Sequence, residues 1–366
     1  MALSKVNPNL VSNGGSRSNI IINGAMNVAQ RATSVTGLGA NGGTYSTVDR
    51  YRFDFGSTAG RLTATQTGIT DLAGFANCTK LDCTTADTSI AAGEYFQFVQ
   101  RIEGQDLQRL AYGTSSAKTT TVSFYVKGTA KTYMCELHDA ENTRLVQQQF
   151  NVTTSWTRVS LTFAGNTSGT IADSAALGLY LNFWLHAGST YTSGTYNANT
   201  WKSQVNADRA VGIGSFFSST SNELFITGIQ FETGSIATDF EHRSYGENLL
   251  ACQRYYEIIA DGGRANDSPY FGVGQGAKSD QINWYYDFKT EKRATFTLAV
   301  STVSNGYSAK THSTTKSHST LGFTSVHQSL HSIMGYMTNI GGVTEHTAWQ
   351  MQLNSASAHI AVSAEL

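Results

Sequence analysis

Residues 177–187 read LGLYLNFWLHA. Leu177, Leu179, Leu181, Phe183 and Leu185 fall on one side of an extended chain, and Tyr180, Asn182, Trp184 and His186 on the other. Successive side chains of a strand point to opposite faces, so the stretch is a β-strand with an apolar inner face and an aromatic, polar outer one. The alternation recurs on either side of it. In TVSFYVK (121–127) Val122, Phe124 and Val126 point inward, and Ser123, Tyr125 and Lys127 outward. In YFQFVQRI (95–102) Phe96, Phe98 and Ile102 fit the core, with Tyr95, Gln97 and Arg101 opposite. VDRYRFDF, RLTATQTG, TYMCELHD, TRLVQQQFNV, WTRVSLTFAG and ELFITGIQFETG are further strand-like segments, parted by Gly, Asn, Asp and Ser. So many short strands with turns between them predict an antiparallel sandwich or barrel, not βαβ units. EGQDLQRLA, from Glu103, reads as a short helical interruption. GLGANGG and GVGQGAKS read as turns, since neither lies between a strand and an amphipathic helix as a dinucleotide loop would.

One segment breaks the pattern. In ATDFEHRSYGENLLACQRYYEIIA (237–260), Ser244 is placed to cap a helix from Tyr245 to Ile259, with Glu247 at the capping-box spacing. Leu249, Cys252, Tyr256 and Ile259 make an apolar stripe, and DGGRANDSP ends the helix. SPYFGVG, QINWYYDF, RATFTLAV, STLGFTSV and WQMQLNSASAHIAVSAEL then form a second, smaller β domain. The expected organisation is an arm (1–18), a β domain (19–243), a linker helix (244–260) and a C-terminal β domain (261–366). His242, Arg243, Glu247 and Arg254 read as junction salt bridges and caps, not as a catalytic set.

Only 14% of the 366 residues are charged and the net charge is -1, which excludes the clustered Lys and Arg of a nucleic-acid binder. No run of 18 apolar residues is present, so no membrane insertion by a helix is expected. The start, MALSKVNPNLVSNGGSRSN, lacks the apolar core of a signal peptide, which predicts synthesis and retention in a cytoplasm. Cys78, Cys83, Cys135 and Cys252 form no CxxC or zinc spacing and are expected as free thiols. G-x-S-x-G, P-loop and H-E-x-x-H motifs are absent, and Glu136, Asp139 and Glu141 have no motif around them. No catalytic residue and no cofactor is assigned. Six of the nine histidines lie between His312 and His359, His327 and His331 being four apart; they read as polar strand and loop residues.

The outer face has three readings. A flat aromatic beside Asn, Gln, His and Arg can stack on a sugar while the polar groups bond its hydroxyls. Aromatics and Arg are equally enriched at subunit interfaces. The face can also be plain surface. The loop GSTYTSGTYNANTW (188–201) adds Tyr191, Tyr196 and Trp201 to whichever reading holds.

NIIINGAMNVAQR, EYFQFVQRIEGQDLQRLAYGTSSAKTTTVSFYVKG, LFITGIQFETGSIATDFEHRSYGENLLACQRYYE and the final SAEL resemble virion proteins of tailed bacteriophages, labelled tail fibre, receptor-binding or minor structural proteins. The resemblance implies a homotrimer made in the host cytoplasm and built into the phage tail or another virion appendage. Its partners would be other virion proteins and a host surface polysaccharide. Residues 1–18 would attach to the virion, and the C-terminal domain would be the distal tip. A purely architectural virion protein (adaptor, head fibre or decoration protein) is the alternative, and a polysaccharide depolymerase a third. The first domain also resembles the jelly-roll of carbohydrate-binding modules, which open on a strand like N-L-x-x-N-G and close on one like FITGIQFE. That likeness implies a jelly-roll for the first domain; with the segments after it, the expected chain is all-β: an antiparallel jelly-roll β-sandwich, a short linker helix and a second, smaller β-sandwich. The likeness implies sugar contacts from Tyr125, Tyr180, Asn182, Trp184 and His186. A structural calcium between the first and last strands would fall to Asn23, Asn27 and Glu232. The acidic residue that commonly follows the N-G pair is replaced here by Ala25 and Met26.

Overall fold

A computed structural model describes residues 18–264 and 269–366. All but Ser18 of the expected arm, residues 1–18, lies outside the described residues. The chain forms two compact units. One comprises residues up to Met26, Thr36–Thr44 and Phe53–Arg243; the other comprises Asn27–Val35, Tyr45–Arg52 and Ser244–Leu366.

The first set of strands is β1 (Ser34–Thr44), β2 (Tyr51–Gly68), β3 (Asn77–Thr85), β4 (Tyr95–Glu103), β5 (Thr120–Gly128), β6 (Lys131–Asp139), β7 (Arg144–Val152), β8 (Thr157–Phe163), β9 (Leu177–Ala187), β10 (Lys202–Ser203) and β11 (Glu223–Thr233). They make one antiparallel sheet in the order β10-β7-β6-β9-β4-β2-β3-β11-β5-β8, with β1 on β2. The sheet folds back on itself because each strand has one apolar face to bury. Phe124 of β5 meets Phe183 of β9 and Phe150 of β7 edge-on, each at 5.0 Å. Those contacts put β5, β11 and β3 opposite β9, β6 and β7, as in a jelly-roll sandwich. The expected helical interruption is a 3-10 helix at Gly104–Leu110.

In the second unit, α2 (Tyr245–Gln253) follows a one-turn helix, α1 (Ser189–Thr192), of the first. Then come β12 (Tyr256–Asp261), β13 (Tyr270–Lys278), β14 (Gln281–Asp287), β15 (Thr297–Val300), β16 (Tyr307–Lys310), β17 (Thr315–His318), β18 (Gly322–Gln328), β19 (Ser332–Met337), β20 (Ala348–Leu353) and β21 (His359–Ser363). A three-stranded sheet β12-β21-β15 packs on a seven-stranded one, β17-β16-β20-β13-β14-β19-β18. Ala260 and Ile360 from the small sheet share a core with Trp284, Tyr307 and Met351 from the large one. Trp284 lies directly across from Gly335. A Cβ on Gly335 would stand 2.3 Å from the indole ring, so only glycine leaves room for it. The chain is thus all-β, a jelly-roll sandwich with a second, smaller sandwich.

Three expectations are corrected. The capping box at Ser244 and Glu247 is present, but the helix ends at Gln253 and not at 259–260. Tyr256–Asp261 is a strand paired with β21, because aromatic and β-branched residues gain more from an available strand edge than from another helical turn. GLGANGG and GVGQGAKS are not turns but parts of β1 and β13. Finally, Asn27–Val35 and Tyr45–Arg52 belong to the C-terminal unit. Arg31 and Arg50 both reach Glu365, Arg50 covers the Tyr255 ring at 3.3 Å, and Gln30 donates to Asp49 and to the Tyr256 carbonyl.

Candidate functional site

β9 is the centre of the candidate face, with β4 on one side and β6 on the other. Register sets three rows across these strands: Gln97–Trp184–Met134, Val99–Asn182–Glu136 and Arg101–Tyr180–His138. Directly opposed residues lie close enough to touch.

The middle row is sealed. Glu136 is fully buried, accepting from Asn182 Nδ2 at 2.7 Å and from Arg209 through both carboxylate oxygens, at 2.6 and 3.0 Å. Burial pushes the Glu136 pKa up, but Arg209 and the Asn182 hydrogen bond outweigh it and hold it below the usual range. The Arg209 guanidinium in turn covers the Trp184 ring at 4.8 Å. The loop after β9 closes the rest. Tyr191 packs on Trp184 at 5.2 Å and on Tyr95 at 5.5 Å. The Tyr196 hydroxyl accepts from the Gln149 N–H at 3.0 Å. Trp201 Nε1 donates to the Ala164 carbonyl at 2.7 Å, its ring edge-on to Tyr112.

The expectation of an open aromatic face therefore needs correction. Trp184 is 1% exposed and Asn182 2% exposed, because the loop carrying Tyr191 and Tyr196 lies over them. His186 is not on this face. A register shift lets Leu185 bulge, so that Phe96 opposes His186 while Gln97 opposes Trp184. A bulge resets the alternation, and His186 turns toward Phe217 on the other side. Tyr125 sits on β5 in the opposite layer, between Phe75 at 5.1 Å and Arg158 at 5.8 Å.

What stays open is the third row. Tyr180 is half-buried, with His138 stacked at 5.2 Å and 12° from β6 and the Arg101 guanidinium 5.3 Å away from β4. Arg101 is also 3.7 Å from Asp54 of β2. Burial depresses the His138 pKa, opposed by Glu136 and aided by Arg209. The neighbours flank the ring of Tyr180, and both His138 Nε2 and Arg101 Nε are buried beside it. Arg101 appears in the outer-face pattern of YFQFVQRI. His138 and Asp54 were not singled out, although period-two alternation in TYMCELHD and VDRYRFDF carries both.

Of the calcium candidates, the carboxylate is already engaged. Glu232 is taken up by donors, from Gln230 Nε2 at 2.8 Å, the Thr238 N–H at 3.0 Å and the Thr238 hydroxyl at 2.7 Å. The charged segment near 244 makes local bonds. Arg243 bonds Glu241 at 3.1 Å, Glu247 completes the capping box, and the His242 ring packs on Phe240. His327 lies among side chains outside the described residues. All four cysteines are buried free thiols. Among the described residues one group of three metal-ligating side chains does come together: Asp87, Glu94 and His186, with ligand atoms within 4.8 Å of one another. No local spacing announces it, because two members lie in the β3–β4 loop and the third far along the chain.

No protein-family model matches this sequence, and no curated protein does. Among solved structures, the chain is similar to the family 11 carbohydrate-binding module of the cellulosomal cellulase Lic26A-Cel5E of Clostridium thermocellum, at 12% identity and TM-score 0.27, over 56% of this chain and 99% of that one. TmCBM61, solved with β-1,4-galactotriose, matches at 8% identity and TM-score 0.32, over 60% of this chain and all (100%) of that one. The CBM22-1 xylan-binding domain from Paenibacillus barcinonensis Xyn10C matches at 8% identity and TM-score 0.28, over 61% and 99%. At such identities and scores these likenesses assign the chain to no family.

Proposed function

We propose that the protein binds a polysaccharide through the face centred on Tyr180, as part of a phage appendage that meets the host surface. The observation that carries the binding reading is the Arg101–Tyr180–His138 row, left open on a sheet face that is otherwise sealed. The partly exposed Tyr180 phenol, flanked by the His138 ring and by Arg101 close to Asp54, is a polar group of fixed position, which suits a sugar hydroxyl. The virion placement, the homotrimer and attachment through residues 1–18 rest on the sequence resemblance alone. In this reading the protein is not an enzyme.

Purified protein should bind intact host cells and be competed off by host polysaccharide. Tyr180→Ala should weaken that binding at least about tenfold, about 1.4 kcal/mol, with the thermal midpoint unchanged. No binding by the native protein at micromolar concentration would replace this reading with the architectural one, and release of reducing ends would revive the depolymerase. Removing residues 1–18 should keep the fold and abolish incorporation into virions.

One observation supports association between copies, which the fibre and the architectural readings share. Tyr270, Val273 and Tyr285, on the adjacent strands β13 and β14, are 58%, 63% and 62% exposed. Such a patch suits a contact between copies of the chain.

A further inference from the structure

We propose that Asp87, Glu94 and His186 bind one divalent transition-metal ion of the zinc class, which fastens the exposed loop 88–93 to the end of β9. The first ground is an unmet need. Glu94 Oε2 and His186 Nε2 lie 3.6 Å apart, and both are buried without a hydrogen-bond partner. Glu94 is 6% exposed and His186 is fully buried, at 0%. His186 lies wholly inside the fold and meets Ser215 on its other side. Its Nδ1 is 2.8 Å from the Ser215 hydroxyl. That oxygen accepts from the Phe217 N–H at 3.1 Å. In the tautomer whose ring proton is on Nδ1 and directed at Ser215, the one a metal-bound Nε2 requires, Nε2 turns a lone pair toward a carboxylate oxygen. Two acceptors facing each other in a dry site are costly unless something positive lies between them.

The second ground is geometry. Ligands about 2.0–2.2 Å from a tetrahedral ion stand roughly 3.3–3.6 Å apart. The Glu94–His186 separation of 3.6 Å falls at that spacing. Asp87 is oriented by other groups: Oδ2 accepts from the Thr58 hydroxyl and the Ala59 N–H, both at 2.9 Å, and Oδ1 from the Ser89 N–H at 3.3 Å. Such outer hydrogen bonds hold metal ligands in place. Among the described residues no Lys or Arg pairs with Asp87 or Glu94, so a dication would neutralise two buried carboxylates. One imidazole with two carboxylates suits zinc, manganese or iron better than calcium or magnesium, which take oxygen alone. Thr88–Gly93 is exposed throughout, which gives the ion a short way in.

The competing occupant is a proton shared between Glu94 and Asp87, and the experiment separates the two. Full-length protein stripped with a chelator is titrated with cobalt(II) chloride and followed by visible absorption. The proposal expects a ligand-field band that saturates at one ion per chain, lacks thiolate charge transfer, and is bleached by zinc chloride. Glu94→Gln and His186→Gln, checked for fold by circular dichroism, should lose the band. Ser215→Ala should keep it with about 10- to 100-fold weaker affinity. No band in the native protein, or a band that survives both substitutions, overturns the site and leaves the shared proton. The native titration decides the matter even if a variant fails to fold.

Discussion

The Glu136–Arg209 pair shows how a single residue sets both the shape of the face and its sensitivity to acid. Removing one partner of a buried ion pair costs about 3–5 kcal/mol, because the other charge is left in a dry site. Arg209→Met should therefore cost that much in a urea titration, and adding Glu136→Gln should recover most of it. The pH dependence follows from the direction of the shift. The Glu136 carboxyl is held below its ordinary range in the folded chain, so the folded state binds its proton less readily than the unfolded one. The contribution is complete above the unfolded value, about 4.3, and is lost as pH falls through the lower folded value. Native protein should thus lose stability more steeply on acidification below that point than Glu136→Gln does. If the two acid profiles coincide, the pair does not carry the effect. In the sequence Glu136 has no motif around it. Alternation in TYMCELHD puts it on the outer face of β6, but only the loop folded over that face makes it buried, and no local pattern reports a cover contributed from 60 residues or so away. Trp184 was misread for the same reason. Trp184→Ala should therefore destabilise the protein by about 3–5 kcal/mol, measured by thermal or urea unfolding. A Trp184→Ala variant with native stability and lost polysaccharide binding would restore the open-face reading.

Elements were legible where period and chemistry agreed. The strands around β9 alternate cleanly, and they form where the alternation puts them. The segment after Ser244 was legible at its start and not at its end. The buried residues of α2 are Asn248 and Cys252, and Tyr255 just beyond the helix is buried too, so the stripe keeps Cys252 of the expected one and replaces Leu249 and Tyr256 by the residue before each. YYEII has aromatic and β-branched side chains that fit either period, and the choice is made by a partner strand, β21, more than a hundred residues on. The bulge at Leu185 is similar: nothing in NFWLHA marks it, yet it decides which way His186 faces. The helix start should still be the most predictable part energetically. Ser244 Oγ accepts from the Glu247 N–H at 3.3 Å, and Glu247 bonds back to the Ser244 N–H at 3.0 Å. Ser244→Ala should cost about 1 kcal/mol, and Ser244→Gly only a few tenths. Equal stability of all three proteins in thermal unfolding would mean that tertiary packing alone holds α2.

At the scale of the whole molecule, composition foretold the class of fold and left the grouping of segments hidden. Two sandwiches follow from many short alternating strands. That Asn27–Val35 and Tyr45–Arg52 belong with the C-terminal unit depends on Arg31, Arg50 and Glu365 meeting across more than three hundred residues. Composition also bears on association. A net charge of -1 with 14% charged residues gives little electrostatic repulsion between copies. Tyr270, Val273 and Tyr285 add an exposed apolar patch on β13 and β14, which burial between copies would remove from water. The native chain should therefore sediment as an oligomer, a trimer if the fibre reading holds. Val273→Asp should reduce it to the single-chain mass with the fold intact by circular dichroism, because an unpaired carboxylate is expensive to bury at a contact and cheap in water. Val273→Thr, nearly the same shape, should weaken association less. A native chain that sediments as a monomer at tens of micromolar removes the patch as a subunit contact; an oligomer indifferent to Val273→Asp places the contact elsewhere on the surface.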